Sequence, residues 1–353
     1  MIDHFSDYRG SKILVTGHTG FKGSWLSRLL VLAGAEVHGL ALPSEKNSIY
    51  ARSRDLGLRS STHLDIRNVM EVEDFFTRNK FDGVFHLAAQ PLVLKSYDNP
   101  LETFQTNVMG TANILDSVIE FNSANWVIIV TSDKVYKNIE NQKGYTEDDP
   151  LGGSDPYSAS KSATEMVVNS WKAVAQIKSS KVVLCSVRSG NVIGGGDIAE
   201  NRLLPDLLRS FYANVPLVIR NPYSLRPWQH VLDTLNGYLL VGKNLINNIK
   251  LASEYNFGPS SFSKLTVEEI VITACELLEG SPGYVIKSDA GQQRESSLLW
   301  LSSERAIRDL GWAGKLNVHD AIKWTFEWEL LAKKSDTISA LDFQIHRFFS
   351  EKL

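Results

Sequence analysis

Tyr157 and Lys161 are spaced so that they could act together in proton transfer. They lie in Pro156-Tyr-Ser-Ala-Ser-Lys161, and a helix would place both side chains on one face, one turn apart. An ammonium group beside a phenol favours the tyrosinate, so we expect the pKa of Tyr157 to fall toward the range where a phenol can remove an alcohol proton. An exposed helical pair without a catalytic role is the alternative.

A glycine-rich turn precedes this pair in the chain. Gly17, Gly20 and Gly23 follow the apolar run Ile13–Thr16 and lead into the helix-compatible Ser24-Trp-Leu-Ser-Arg-Leu-Leu-Val. Glycines let the backbone turn sharply and approach a pyrophosphate, whose charge the amide groups at a helix amino terminus can meet. A purely structural turn is the alternative, but the position after a first strand favours a dinucleotide site.

The end of the second predicted strand does not select the dinucleotide. Gly39-Leu-Ala-Leu42 offers no carboxylate to the ribose hydroxyls and no adjacent arginine to a 2′-phosphate, so the choice between NAD and NADP is weakly specified. Asp65 stands where the third strand should end. It is a candidate contact for adenine, and a plain helix N-cap is the alternative.

Short strands alternating with helices would position these motifs. Apolar, β-branched segments recur with longer helix-compatible stretches between them, at Ile13–Thr16, Glu36–Leu42, Gly83–Ala89, Trp126–Thr131 and Lys181–Val187. The alternation predicts an α/β fold whose parallel sheet is doubly wound in the Rossmann manner. The continuous apolar run of the fourth segment is typical of a strand buried on both faces.

The sequence pattern changes after about residue 188, where glycine and proline interrupt short segments. We therefore expect residues 1–187 to form the dinucleotide-binding domain, and residues 188–353 to form mainly a smaller α/β lobe that binds the substrate. The stretch at about 235–257 is compatible with a return to the first domain.

Composition excludes several classes of protein. A chain of 353 residues can bury a sizeable core, and its net charge of −3 leaves no basic field for nucleic acid or an anionic membrane. The two cysteines and eight histidines show no metal-ligand spacing, so we expect no metal site. The first residues lack a signal-peptide pattern and no 18-residue apolar run follows, which indicates a cytosolic protein.

The motifs and their order resemble the extended short-chain dehydrogenase/reductases that act on nucleotide sugars. The segments that carry this resemblance are Gly17–Gly23, His86-Leu-Ala-Ala89, Asn107-Val-Met-Gly-Thr111, Thr131-Ser-Asp-Lys134 and Tyr157–Lys161. A narrower similarity, to the 4,6-dehydratases of that family that act on CDP-glucose, is carried by Gly17–Trp25, Thr131–Tyr136, Gly190–Asp197 and Ile219–Val231. It covers most of the chain to about residue 260 and is looser afterwards.

The resemblance implies NAD as the cofactor, CDP-glucose as the small-molecule substrate, a homodimer, and a role in deoxysugar and surface-polysaccharide biosynthesis. Catalysis is expected from Ser132, Asp133, Lys134, Tyr157 and Lys161. The residues expected to contact NAD are Gly17, Thr19, Gly20, Phe21, Lys22, Gly23, Asp65, Ile66, Leu87, Ala88, Ala89, Asn107, Thr131, Tyr157 and Lys161. Those expected to contact the substrate are Gln90, Asn191, Arg202, Arg220, Arg226 and Arg294.

The pair Asp133-Lys134 separates the activities within the family. Related epimerases carry small, non-ionising residues there, and many related dehydratases carry Asp-Glu, so Lys134 is expected to act as the base and Asp133 as the acid. A solvated charge pair at a strand end is the structural alternative. The functional alternatives are a dehydratase or 4-epimerase for another nucleotide sugar, and a dinucleotide-binding sensor without catalysis.

Overall fold

A seven-stranded parallel sheet flanked by helices forms the centre of the molecule in the computed structural model, which describes residues 2–139, 141, 143–259, 264–278, 280–287 and 299–350. All neighbouring strands in this sheet pair in parallel. From edge to edge the strands are β11 (Glu254–Phe257), β6 (Val183–Ser189), β5 (Trp126–Val130), β4 (Gly83–His86), β1 (Lys12–Thr16), β2 (Glu36–Ala41) and β3 (Ser60–His63). The predicted fold class is confirmed.

Helices connect the strands and build the second lobe. They are α1 (Phe21–Leu32), α2 (Ile49–Arg52), α3 (Val69–Arg78), α4 (Val93–Asp98), α5 (Pro100–Phe104), α6 (Gly110–Glu120), α7 (Pro156–Ile177), α8 (Leu203–Ala213), α9 (Val231–Ile246), α10 (Val267–Leu277), α11 (Glu304–Leu310), α12 (Val318–Lys334) and α13 (Thr337–Ser350). Short 3-10 helices span Asp3–Tyr8 and Asp133–Val135, and a π-helical turn, Gln105–Met109, joins α5 to α6. Within the described ranges, no helix is long and apolar enough to cross a bilayer.

Three small strand pairs complete the lobe that follows β6. β7 (Val192–Ile193) pairs with β10 (Gln229–His230), β8 (Leu217–Ile219) with β13 (Tyr284–Ile286), and β9 (Leu225–Pro227) with β12 (Lys264–Thr266). A core of its own, which includes Leu207, Ile270 and Ile322, holds this lobe together.

The central sheet separates two apolar cores. In β1, Ile13 and Val15 face one core and Leu14 faces the other. Every residue of β5 is buried, as its uninterrupted apolar sequence predicts.

Strand ends differ from the predicted ones where side chains interrupt the ladder. β4 ends at His86 instead of Ala89, because the amides of Leu87 and Ala88 donate to the Thr16 hydroxyl. β6 is shifted along the chain and runs to Ser189, so the predicted domain boundary at residue 187 falls inside this strand. Within the stretch 235–257, β11 lies at the edge of the central sheet beside β6.

Candidate active site

A cleft of about 1940 Å³ opens where the chain leaves the carboxyl ends of the central strands and meets the second lobe. Lys22, Asp133 and Tyr157 line its sheet side, and Arg202 and Arg220 line its lobe side. Ligands of doubly wound sheets bind at this end, because the loops that follow parallel strands converge there.

Tyr157 enters the cleft from the first turn of α7. Asp155 caps that helix by accepting the amide of Ser158 at 2.9 Å, and Pro156 begins it with a backbone angle suited to a first helical position. The amide of Tyr157 donates to Ser96 Oγ at 3.1 Å, which ties the start of α7 to α4. Both Tyr157 and Lys161 are buried.

The expected lowering of the tyrosine pKa is wrong. Burial raises the pKa of Tyr157 to about 12, although a hydrogen bond with Ser132 opposes this shift. Lys161 instead donates from Nζ to the carbonyl of Val130 at 3.2 Å, and burial lowers its own pKa to about 8. Burial removes water from both groups and so penalises their charged forms. This effect outweighs the stabilisation of the tyrosinate that was expected from a lysine one helical turn away.

Ser132, Asp133 and Lys134 form a short turn, which we call the acid–base turn, at the carboxyl end of β5. The Ser132 hydroxyl accepts the amide of Lys134 at 3.2 Å and donates to Asp133 Oδ1 at 2.9 Å. Asp133 is only 3% exposed, so a solvated charge pair is wrong for this residue, while Lys134 is half-buried and lines the cleft. Burial raises the pKa of Asp133, against the opposing effects of Lys134, Ser132 and Arg226. A carboxyl with a raised pKa can hold a proton for general acid catalysis.

The glycine turn packs closely against neighbouring backbone and leads into the uncapped amino terminus of α1. Gly17 has φ +72° and lies so close to Ala88 that a Cβ atom would stand 2.9 Å from the Ala88 amide nitrogen. A Cβ on Gly23 would lie 2.1 Å from the Gly17 carbonyl oxygen. Gly20 is the N-cap of α1 and has no side chain that could cap the helix. The first amides of α1 therefore have no acceptor within the helix and can donate to an anion.

Lys22 adds a cation at the same place. It lines the cleft, and its Nζ donates to Ser189 Oγ at 3.3 Å. Burial lowers the pKa of Lys22 to about 7, and the nearby charges of Arg202 and Lys161 add to this effect. Phe21 also lines the cleft.

The other residues predicted for the dinucleotide make contacts within the protein. Thr19 donates from its hydroxyl to Leu42 O at 3.0 Å. Ile66 is buried against Gly110, and Leu87, Ala88 and Ala89 form the partly buried loop after β4. Thr131, which directly follows β5, donates to Glu165 Oε1 at 2.5 Å.

Asp65 and Asn107, which are also predicted to contact the dinucleotide, form hydrogen bonds within the protein. Asp65 accepts hydrogen bonds from Arg67, which lower its pKa, and the N-cap of α3 is Asn68, so the capping alternative for Asp65 is wrong. Asn107, in the π-helical turn, accepts the amide of Gln90 at 2.8 Å and donates to Ser160 Oγ at 2.9 Å.

Four of the residues predicted for the substrate line the cleft: Asn191, Arg202, Arg220 and Arg226. Arg202 pairs with Asp197 at 2.8 Å, and Arg226 faces Asp133 closely enough to influence its pKa. The structure does not bring Gln90 to the cleft, because its side chain bonds to Leu92 and Thr103. Arg294 lies outside the described residues.

Sequence reasoning missed several polar residues beside the site. Asp197 orients Arg202, and Glu165 and Arg188 form a buried ion pair behind β5. Glu165 carries a sequence signal, since it follows Lys161 by four positions and shares its helix face, and Asp197 ends the segment Gly190–Asp197 that carries the narrower similarity. The partners of Asp197 and Arg188 depend on tertiary packing.

Comparison with known proteins decides the family. The family model described as GDP-mannose 4,6 dehydratase matches residues 14–325. The chain belongs to this family. It is 42% identical to the CDP-glucose 4,6-dehydratase of Salmonella typhimurium over 331 residues, which cover 91% of this chain and 92% of that protein. It is 25% identical to a dTDP-glucose 4,6-dehydratase of Haemophilus influenzae, across 92% of this chain and 99% of that one.

Solved structures share the fold of this member of the GDP-mannose 4,6 dehydratase family. A dTDP-glucose 4,6-dehydratase from Streptomyces venezuelae, determined with NAD and TYD bound, superposes with a TM-score of 0.76 at 24% identity, covering 92% of this chain and 97% of that one. A UDP-glucose 4-epimerase superposes with a TM-score of 0.78 at 22% identity, covering 92% and 98%. The same architecture therefore supports both dehydratases and epimerases, and the side chains in the cleft must distinguish them.

Proposed function

We propose that this chain is an NAD-dependent hydro-lyase that converts CDP-glucose to CDP-4-keto-6-deoxyglucose. The observation that carries the proposal is the buried Asp133 carboxyl, which is linked through Ser132 to Tyr157 in one cleft. Oxidation and reduction at a single carbon need no such second acid. The 42% identity to a CDP-glucose 4,6-dehydratase supports the choice of substrate.

The glycine turn and the amino terminus of α1 would hold the NAD pyrophosphate, because no capping side chain occupies the first amides of this helix. When bound, NAD supplies a hydride acceptor for C4 of the sugar and returns the same hydride to C6. Lys161 is buried one helical turn from Tyr157. We propose that its ammonium group would hydrogen-bond to the nicotinamide ribose.

In the oxidation half, Tyr157 would remove the proton of the sugar 4-hydroxyl while Ser132 holds the 4-oxygen by a hydrogen bond. The raised pKa of Tyr157 makes its phenol a weaker acid, so cations near the ring must favour the tyrosinate during turnover. Arg202 already acts in that direction.

In the elimination half, the 4-ketone acidifies the proton at C5. Lys134, half-buried on the cleft wall, would take that proton, and Asp133 would give its proton to the departing 6-hydroxyl, which leaves as water. Lys134 would then return the proton it holds to C5 as C6 is reduced. The raised pKa of Asp133 suits it to hold the proton that this step needs.

The diphosphate of the substrate would lie against the arginines of the second lobe. Arg220 and Arg226 line the cleft, and a planar guanidinium can donate two hydrogen bonds to phosphate oxygens. Arg202 and Asn191 line the same wall. Residues 188–353 would thus bind most of the nucleotide sugar, and residues 1–187 the cofactor.

We also propose that two chains pair through the helices that follow Asn99 and Tyr157. Large apolar side chains are exposed on them, with Leu101 at 78%, Met109 at 55% and Met166 at 57%. Light scattering at micromolar protein concentration measures the particle mass, and a mass of one 39.4 kDa subunit would disprove the dimer.

We further propose that the protein is located in the cytoplasm. There it would help to make deoxysugars for surface polysaccharide such as the lipopolysaccharide O-antigen.

Mass spectrometry of the products tests the function directly. The purified protein is incubated separately with CDP-glucose, GDP-mannose and dTDP-glucose, each with and without added NAD. We expect loss of one water from CDP-glucose alone. Loss of water from another substrate would move the proposal to that nucleotide, and no change of mass would favour an epimerase, whose product has the mass of its substrate.

A further inference from the structure

A buried ion pair that the mechanism above does not use lies directly behind the cleft. Arg188 donates from Nε and Nη2 to the two carboxylate oxygens of Glu165, both at 2.9 Å, and the side chains are 3% and 2% exposed. The same carboxylate accepts the hydroxyls of Thr131 at 2.5 Å and Ser186 at 2.7 Å. Because burying a charge pair costs as much desolvation as it returns in attraction, stability is a weak explanation for it.

The ion pair holds both ends of the acid–base turn. Thr131 directly precedes Ser132, and its hydroxyl bonds to Glu165. Tyr136 stands two residues after Lys134, and its phenol oxygen accepts a hydrogen bond from Arg188 Nη1 at 2.7 Å. The guanidinium also lies 5.2 Å from the centre of the Tyr136 ring, so two kinds of contact fix this end.

Further hydrogen bonds tie the same residues to neighbouring elements. The Tyr136 hydroxyl donates to Asn256 Oδ1 at 2.8 Å, and Asn256 belongs to β11. Glu165 stands on α7, which carries Tyr157, and its charge opposes the lowering of the Lys161 pKa. The turn is therefore fixed relative to the helix that supplies the proposed tyrosine base.

We propose that Glu165 and Arg188 are positioning residues, which hold the acid–base turn in place through Thr131 at one end and Tyr136 at the other. This inference rests on the function proposed above. The Thr131 end determines where Ser132 lies, and Ser132 serves the oxidation half. The Tyr136 end determines where Lys134 lies, and Lys134 serves the elimination half.

The two ends predict different kinetic defects. Tyr136→Phe keeps the ring but removes the acceptor of Arg188, so elimination should slow about tenfold to a hundredfold while oxidation at C4 changes little. A larger fraction of the nicotinamide should then be in the reduced form during turnover of CDP-glucose. The absorbance of the reduced nicotinamide measures this fraction. Thr131→Val should slow both halves, so that reduced nicotinamide does not accumulate.

Ser186→Ala is the matched control. It removes a neutral hydrogen bond to the same Glu165 carboxylate, but Ser186 stands on β6 and no hydrogen bond joins its side chain to the acid–base turn. We expect Ser186→Ala to lower the Tm about as much as the other two variants do. The fraction of cofactor that is reduced during turnover should stay at the wild-type value. If Tyr136→Phe does not fold, the overall rate of product formation carries the test: Thr131→Val should slow it, and Ser186→Ala should leave it near the wild-type rate. Equal rates in these two variants would overturn the inference.

Amide hydrogen exchange separates failure of this inference from failure of the proposed function. Tyr136→Phe should speed exchange in residues 132–136 relative to Ser186→Ala, whatever the substrate is. A folded Tyr136→Phe with wild-type exchange, or with wild-type cofactor reduction, overturns the inference. Equal effects of Tyr136→Phe and Ser186→Ala also overturn it. A wild-type protein that leaves CDP-glucose unchanged overturns the function instead.

Discussion

Substitution of Gly23 by alanine tests how closely the glycine turn is packed. The added methyl group would lie 2.1 Å from the carbonyl oxygen of Gly17, and real Cβ atoms essentially never approach closer than 3.0 Å. The turn must therefore open by about 0.9 Å between β1 and α1. The obstacle is a backbone atom, which cannot change rotamer to give room.

The expected cost follows from this geometry. Overpacking of a tight site costs about 1–3 kcal/mol, and a backbone neighbour favours the upper end of that range. For a chain of this size, a loss of about 3 kcal/mol should lower the Tm by roughly 4 °C. Opening the turn also moves the first amides of α1. Losing one hydrogen bond to a charged phosphate, worth about 1.5–3 kcal/mol, should weaken NAD binding by roughly 10-fold to 150-fold.

Gly20→Ala is the matched control in the same turn. A Cβ there would lie 3.4 Å from the same Gly17 oxygen, which is an ordinary contact, and φ is −82°, which alanine adopts freely. Thermal unfolding would be followed by scanning fluorimetry and NAD binding by titration calorimetry. If Gly23→Ala unfolds at the same temperature as Gly20→Ala and binds NAD as the wild type does, the close packing inferred for this turn is incorrect.

Three further predictions concern catalysis, binding and stability. Lys134→Ala should still reduce the nicotinamide with CDP-glucose but release no dehydrated product, whereas Tyr157→Phe should block both; equal loss of reduction in the two would mean that Lys134 is not the base. Arg226→Lys should weaken CDP binding in calorimetry by about tenfold, because lysine lacks the planar donor fork; unchanged affinity would place the diphosphate elsewhere. Burial raises the pKa of Asp233 from 3.8 to about 7. The folded chain then binds a proton that the unfolded chain releases, so the stability of the wild type relative to Asp233→Asn should fall by up to about 4 kcal/mol as the pH rises from 4 to 7. Urea unfolding of both proteins at several pH values measures this difference in unfolding free energy. A difference that stays constant from pH 4 to pH 7 would contradict the prediction.

Local patterns account for the parts of the fold that the sequence predicts. Five strands of the central sheet were predicted from short apolar runs, because a strand buried on both faces needs an apolar side chain at nearly every position. The glycine turn was predicted from its spacing and its place after β1. Strand ends were less accurate, since the polar contacts of Thr16 that end β4 come from another strand.

Local sequence is enough to specify which chemical groups are present: a glycine turn before a helix, a tyrosine and a lysine one helical turn apart, and an acid beside a base after β5. Their protonation was decided by the tertiary structure. Burial raises the pKa of Tyr157, where helical spacing alone suggested the opposite. Asp133 is a buried acid, and not half of a solvated pair, in a cleft that it shares with Arg226 of the second lobe. Glu165 and Arg188 meet only when α7 packs on β6, since contacts between residues distant in the chain leave no periodic signal in it.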